Sequence, residues 1–154
     1  MAKYRPVTKE ELKLLVQDEA VYLGSIDTSN ITDMSNLCYN IIRKDYSGIE
    51  TWNVSHVISM SYMFSGASSF NQPLGNWDVS NVTNMSGMFN KAISFDQPLD
   101  NWSVSNVTNM SWMFAGAESF NQDISQWKIN KYVSMYYMFN NSPLAKNPPS
   151  WYHE

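Results

Sequence analysis

NWDVSNVTNMSGMFNKAISF, residues 76–95, is followed 25 residues later by NWSVSNVTNMSWMFAGAESF, residues 101–120, and the likeness of the two stretches decides how the rest of the chain is read. Working outward, TWNVSHVISMSYMFSGASSF (51–70) precedes them and QWKINKYVSMYYMF (126–139) follows, so that tryptophans stand at 52, 77, 102 and 127. A fainter first copy, SIDTSNITDMSNLC (25–38), has Ile26 in the tryptophan position. A fixed period in the range of 20 to 50 residues marks units that cannot bury their apolar face alone and must stack on their neighbours.

Within each copy the apolar spacing changes, and that change predicts local structure. Trp77 and Val79 alternate around Asp78 as in a short strand with one buried face. Met85, Met88, Phe89 and Ala92 then fall at i, i+3, i+4 and i+7, the stripe of a helix about two turns long. The stripe recurs as Met60/Met63/Phe64/Ala67 and Met110/Met113/Phe114/Ala117, with Asn84 or Asn109 placed to cap the first turn. The expectation is an α/β repeat solenoid, a leucine-rich-repeat-like right-handed coil of about five turns, with short parallel strands on the inside of an arc. The tryptophans form an internal ladder in this reading, each indole N–H seeking a backbone carbonyl of the adjacent turn.

Stacked repeats need covered ends. Thr8 followed by Glu11 reads as a capping box, and Leu12, Leu15 and Val16 share one helical face, so residues 1–22 are expected to form an N-terminal helical cap. Residues 23–140 carry the repeats. Residues 141–154 abandon them for prolines, with Trp151 near the next ladder position, and read as a C-terminal cap.

Composition removes several classes of function. A net charge of −4 and a pI near 5.1 leave no basic footprint for nucleic acid. No apolar run approaches the ~18 residues of a membrane span, and the N-terminus lacks the uninterrupted apolar stretch of a signal peptide, so the chain as written reads as unexported. Cys38, the single cysteine, aligns with Phe64, Phe89 and Phe114 and reads as a small core residue. The N-x-S/T tripeptides at Asn53, Asn81 and Asn106 recur because the repeat recurs.

The consensus W-D-V-S-N-V-T-N-M-S-x-M-F-x-x-A-x-S-F-N-Q-P-L-x-N, clearest at Trp77–Phe89 and Trp102–Phe114, resembles the BspA-like class of bacterial surface-protein leucine-rich repeats. More narrowly it resembles their methionine-rich subgroup, a domain of unknown function in bacterial lipoproteins and surface proteins. The resemblance implies a leucine-rich-repeat-like fold, a cell-surface or secreted setting, an adhesive or protein-binding role and no catalytic residues.

Function is then sought where the copies vary. Two positions into the methionine stripe they read Tyr62, Gly87, Trp112 and Tyr137, pointing about 200° away from a helical core. Aromatics there suit a protein partner, or a sugar if the module is a carbohydrate binder. The second candidate surface is the polar row Asn53, Asp78, Ser103 and Lys128, which alternates with the buried strand residues. No catalytic group, cofactor or metal is expected: His56 aligns with Asn81 and Asn106 and has no motif partner, and Asp96, Asp100 and Asp123 lack a calcium-loop spacing. The reading is a non-enzymatic binding scaffold, a monomer or weak dimer, with carbohydrate binding or structural self-association as alternatives.

Overall fold

The computed structural model describes residues 2–154. The only α-helix among them, α1, spans Lys9–Gln17 and starts as the capping box requires: Thr8 Oγ1 accepts from the Glu11 amide at 3.1 Å while Glu11 Oε2 accepts from the amides of Thr8 and Val7. Leu12 and Val16 are buried and Leu15 is half-buried against the first repeat. Three 3₁₀ turns, Leu23–Ser25, Ile49–Thr51 and Pro143–Ala145, complete the helical content of the described residues.

The α/β repeat solenoid expected from the sequence is not what forms. Among the described residues there is no β-sheet, only isolated parallel bridges: one joins Tyr4 to Ile26, and a series runs from Asp33 through Ser59, Asn84 and Asn109 to Ser134. The methionine stripes are not helices either. In the second copy, Met63 N–H returns to Met60 C=O, Ser65 to Tyr62 and Ala67 to Phe64, so three i→i+3 turns overlap. Tyr62 and Gly66 have φ of 55° and 70°, on the left-handed side, as the third residue of a type II turn demands. The same two columns are left-handed in every copy: Asn36, Tyr62, Gly87, Trp112 and Tyr137, then Asn40, Gly66, Lys91, Gly116 and Asn141. A left-handed residue every few positions stops an α-helix from propagating.

The N–H groups released by these turns join one copy to the next. Met60, Tyr62, Phe64 and Gly66 donate to the carbonyls of Asn84, Ser86, Met88 and Asn90. The pattern repeats from Met34, Met85 and Met110 onward at 2.7–2.9 Å. Alternate amides therefore close turns within a copy while the others cross to its neighbour, which satisfies the backbone without a continuous strand.

The apolar columns stack on this framework. Phe64, Phe89, Phe114 and Phe139 lie 5.6–5.9 Å apart as near-parallel rings, and Phe70, Phe95 and Phe120 form a second pile beside them. The tryptophan ladder forms as expected. Leu74 C=O closes its own turn with Trp77 N–H and also accepts the Trp102 indole at 2.9 Å; Leu23, Ile49, Leu99 and Ile124 do the same for Trp52, Trp77, Trp127 and Trp151. Trp151 thus continues the ladder from outside the repeats, stacked on Trp127 at 6.0 Å. Cys38 is buried in the phenylalanine column, and burial pushes its thiol up to about 12.

α1 is held down by a buried cation. Arg43 donates to the carbonyls of Val16, Asp18 and Val21 around the end of the helix and to that of Asp45, while Glu19 accepts from the amides of Lys44 and Asp45. The guanidinium also meets the negative end of the α1 dipole.

Candidate functional site

The two surfaces picked from the sequence fare differently. Asn53, Asp78, Ser103 and Lys128 are all exposed beside buried tryptophans, so the alternation holds although the strand does not. Two of the four turn back on their own chain. Asn53 Oδ1 accepts from the amide and hydroxyl of Ser55, and Asp78 Oδ1 from those of Ser80 at 3.1 and 2.6 Å. The Ser80 hydroxyl, with its amide second, holds the Asp78 carboxyl below its usual range. These side chains fix Asx turns, which leaves them fewer free valences for a ligand.

The aromatic column is not on a helix, and the 200° argument that placed it outward fails with the helix. The rings point outward for another reason: the backbone is left-handed beneath them. Tyr62 lies over Gly87 of the next copy, where a Cβ would collide with the ring, so Tyr62 is half-buried and serves as packing. Trp112 and Tyr137 have no such gap and stack on each other at 4.7 Å with a 34° tilt, 39% and 51% exposed. The structure therefore keeps two of the three aromatics together on the surface.

It adds two that the repeat alignment hid. Tyr136 takes the column of Ser61, Ser86 and Ser111 and is 65% exposed; Tyr132 takes the column of Val57, Val82 and Val107 and is 77% exposed. In the last copy the Asx turn forms on Asn130, whose Oδ1 accepts from Tyr132 N–H, and Val133 takes the inward place. Tyr132 is thereby turned to solvent, with Lys131 Nζ 4.9 Å from its ring centroid. A tyrosine in a valine column was the available signal. A groove of about 300 Å³ runs between these tyrosines and the tail, lined by Tyr132, Met135, Tyr136, His153 and Glu154 among others.

His56 Nε2 lies 3.0 Å from Thr28 C=O, as the Asn81 and Asn106 amides lie 2.7 Å from Ser55 and Ser80 C=O, so all three tie adjacent copies together. Asp96 Oδ1 accepts from Asn121 N–H and Gln122 Nε2 of the next copy, and Asp123 Oδ1 accepts from Ser125 N–H within its own turn, so both carboxylates have a part in holding the backbone. The described residues contain no helix long and apolar enough to cross a membrane.

A family model described as "Mycoplasma protein of unknown function, DUF285" matches residues 13–99 and, in a second overlapping placement, residues 32–151. The chain belongs to the DUF285 family. Two overlapping placements are what a tandem repeat allows, since the same pattern can be laid on it in more than one register. Membership of DUF285 covers the repeats and carries no activity with it. No curated protein and no solved structure matches the chain.

Proposed function

We propose that this DUF285 protein is a non-enzymatic binding scaffold that engages a protein partner through exposed aromatics of its last two repeats, centred on the stacked Trp112 and Tyr137, with the exposed Tyr136 and Tyr132 of the last repeat as further contacts. The observation that carries this reading is the backbone under the rings. Trp112 and Tyr137 sit at φ of 63° and 54°, positions where other copies have Asn36 and Gly87. A bulky residue there costs roughly 1–2 kcal/mol, and its ring remains partly in water, so packing alone accounts poorly for its presence. Rigid amphipathic rings of this kind anchor protein interfaces. The repeat's similarity to BspA-like surface proteins supports the same reading, with adhesion as its setting.

His56 supports the non-enzymatic half of the proposal, because its hydrogen bond repeats what asparagine does in two other copies. The test compares wild type with a Trp112→Gly/Tyr137→Gly double variant, which removes both rings and suits the backbone. Protein retained from cell and matrix extracts by the wild type and lost by the variant is the expected result. Equal retention moves the surface to Asn53, Asp78, Ser103 and Lys128. Ring-dependent binding to a glycan array in place of a protein makes the module a carbohydrate binder.

A further inference from the structure

The last repeat departs from the others in one chemical direction. Where earlier copies have Asn53, Asp78 and Ser103 it has Lys128, and where they have His56, Asn81 and Asn106 it has Lys131. Tyr132 and Tyr136 replace a valine and a serine in the same stretch. Charge divides accordingly. Residues 51–125 hold Asp78, Asp96, Asp100, Glu118 and Asp123 against Lys91, whereas residues 126–154 hold Lys128, Lys131 and Lys146 against Glu154. A chain of net charge −4 therefore carries a local excess of cations on its last repeat.

The change at Lys131 gives up a structural bond. His56, Asn81 and Asn106 each tie their copy to a carbonyl of the preceding one, and among the described residues Lys131 makes no such tie to Ser105 C=O. Lys131 Nζ lies instead 4.9 Å from the Tyr132 ring centroid, and both side chains are exposed. Neither Lys128 nor Lys131 has a carboxylate partner: the ion pairs among the described residues, Arg5 with Asp27 and Lys9 with Asp33, are at the other end of the stack. Three residues of chain separate the Cα atoms of the two lysines by at most ~11 Å, comparable to the Debye length of ~10 Å at moderate salt. Their fields reinforce one another.

Beside Tyr132 runs the groove of about 300 Å³ that it shares with Tyr136 and His153. A carboxylate already sits there. Glu154, which lines the groove, accepts from Tyr137 N–H at 3.2 Å and from the Tyr152 hydroxyl at 2.9 Å. These donors hold an acidic side chain of the chain itself, and the two lysines are left for another.

We propose that the partner segment reaching this groove is an acidic peptide, with its carboxylates set against Lys131 and Lys128 and its apolar side chains against the rings of Tyr132 and Tyr136. This occupant presupposes the protein-binding surface at Trp112 and Tyr137 and specifies its chemistry. Exposed rings beside unanswered cations suit a polypeptide, which brings apolar and acidic side chains together. An anionic bilayer would engage the lysines without filling the groove.

Selection of a random dodecamer peptide library displayed on phage tests this, with three baits: the wild type, the Trp112→Gly/Tyr137→Gly variant and a Lys128→Asn/Lys131→Asn variant. Asparagine is what earlier copies carry at both lysine positions, at Asn53 and Asn81, so the lysine variant is expected to melt no lower than wild type. Peptides selected on the wild type are expected to be enriched in Asp and Glu over the starting library, and the enrichment to vanish on the lysine variant. One selected peptide, labelled and read by fluorescence anisotropy, should bind the lysine variant and a Tyr132→Val/Tyr136→Ser variant at least about tenfold more weakly. Its affinity for the wild type should fall as sodium chloride rises from about 50 to 300 mM. Peptides that need Trp112 and Tyr137 but show no acidic enrichment, or that bind the lysine variant as tightly, overturn the acidic assignment and leave the aromatic surface standing. A lysine variant that melts lower than wild type assigns the lysines to the fold, and stronger competition from heparin or phosphatidylglycerol vesicles than from unlabelled peptide assigns them to a glycan or lipid; either overturns the proposal. Selection of no peptide that depends on the two rings counts against the aromatic surface itself, and the acidic occupant falls with it.

Discussion

Replacing Trp112 by glycine and, separately, by alanine separates the turn architecture from the helix that the methionine spacing suggests. In a helix interior glycine is about 1 kcal/mol less favourable than alanine. At Trp112, where φ is 63°, the order reverses: alanine keeps a Cβ that crowds the left-handed backbone at roughly 1–2 kcal/mol, and glycine removes it. Both variants lose the ring pair with Tyr137, worth about 0.5–1.5 kcal/mol, so that loss cancels in the comparison. Glycine should therefore be the more stable of the two by about 1 kcal/mol, a swing of about 2 kcal/mol from the helical expectation. In a chain of this size that is a melting difference of roughly 2–4 °C. Urea unfolding followed by tryptophan fluorescence, with equal slopes for the two variants, reads the difference directly. An alanine variant as stable as the glycine variant, or more so, refutes the left-handed assignment and the reasoning built on it.

Trp102→Phe removes an indole donor from Leu74 C=O, which keeps its bond from Trp77 N–H, so the expected loss is about 1–2 kcal/mol in urea and not the larger penalty of an orphaned carbonyl. Arg43→Met strips donors from four carbonyls at once; a loss of about 3 kcal/mol or more is expected, with faster amide exchange in α1 than in the repeats around Phe89. Asp78 has a carboxyl lowered from 3.8 by Ser80, so its contribution is present above that value and is lost as pH falls through the lower folded value. Asp78→Asn, which keeps the Asx geometry that Asn53 uses, should flatten the part of the acid-induced fall in melting temperature below about pH 4 that Asp78 supplies; an unchanged profile counts against the hydrogen bond. His56→Asn should leave partner binding intact and stability within about 0.5 kcal/mol, and loss of an activity in that variant would overturn the non-enzymatic reading.

How far the sequence could be read follows from what each residue pattern constrains. Burial was legible because it depends on which residues recur. Trp77, Val79, Met85, Met88, Phe89 and Ala92 are all inward whether the backbone between them is strand, helix or turn. The indole ladder was legible for a related reason, since a buried N–H at a fixed period has the neighbouring copy's carbonyls as its nearest acceptors. Secondary structure was not, because i, i+3, i+4, i+7 is also the spacing produced by overlapping i→i+3 turns that bring every third or fourth side chain back inside. The discriminating signal lay in a column without apolar residues: Asn40, Gly66, Gly116 and Asn141 recur two positions after the core residues Cys38, Phe64, Phe114 and Phe139. Glycine and asparagine are poor choices in mid-helix and good ones at positive φ. Taken with Asn36 and Gly87, which stand four residues before that column, they mark a backbone that turns left-handed twice per copy. On that backbone Lys91, Tyr62, Trp112 and Tyr137 are the exceptions, and the candidate surface is defined by where the aromatic ones remain in water.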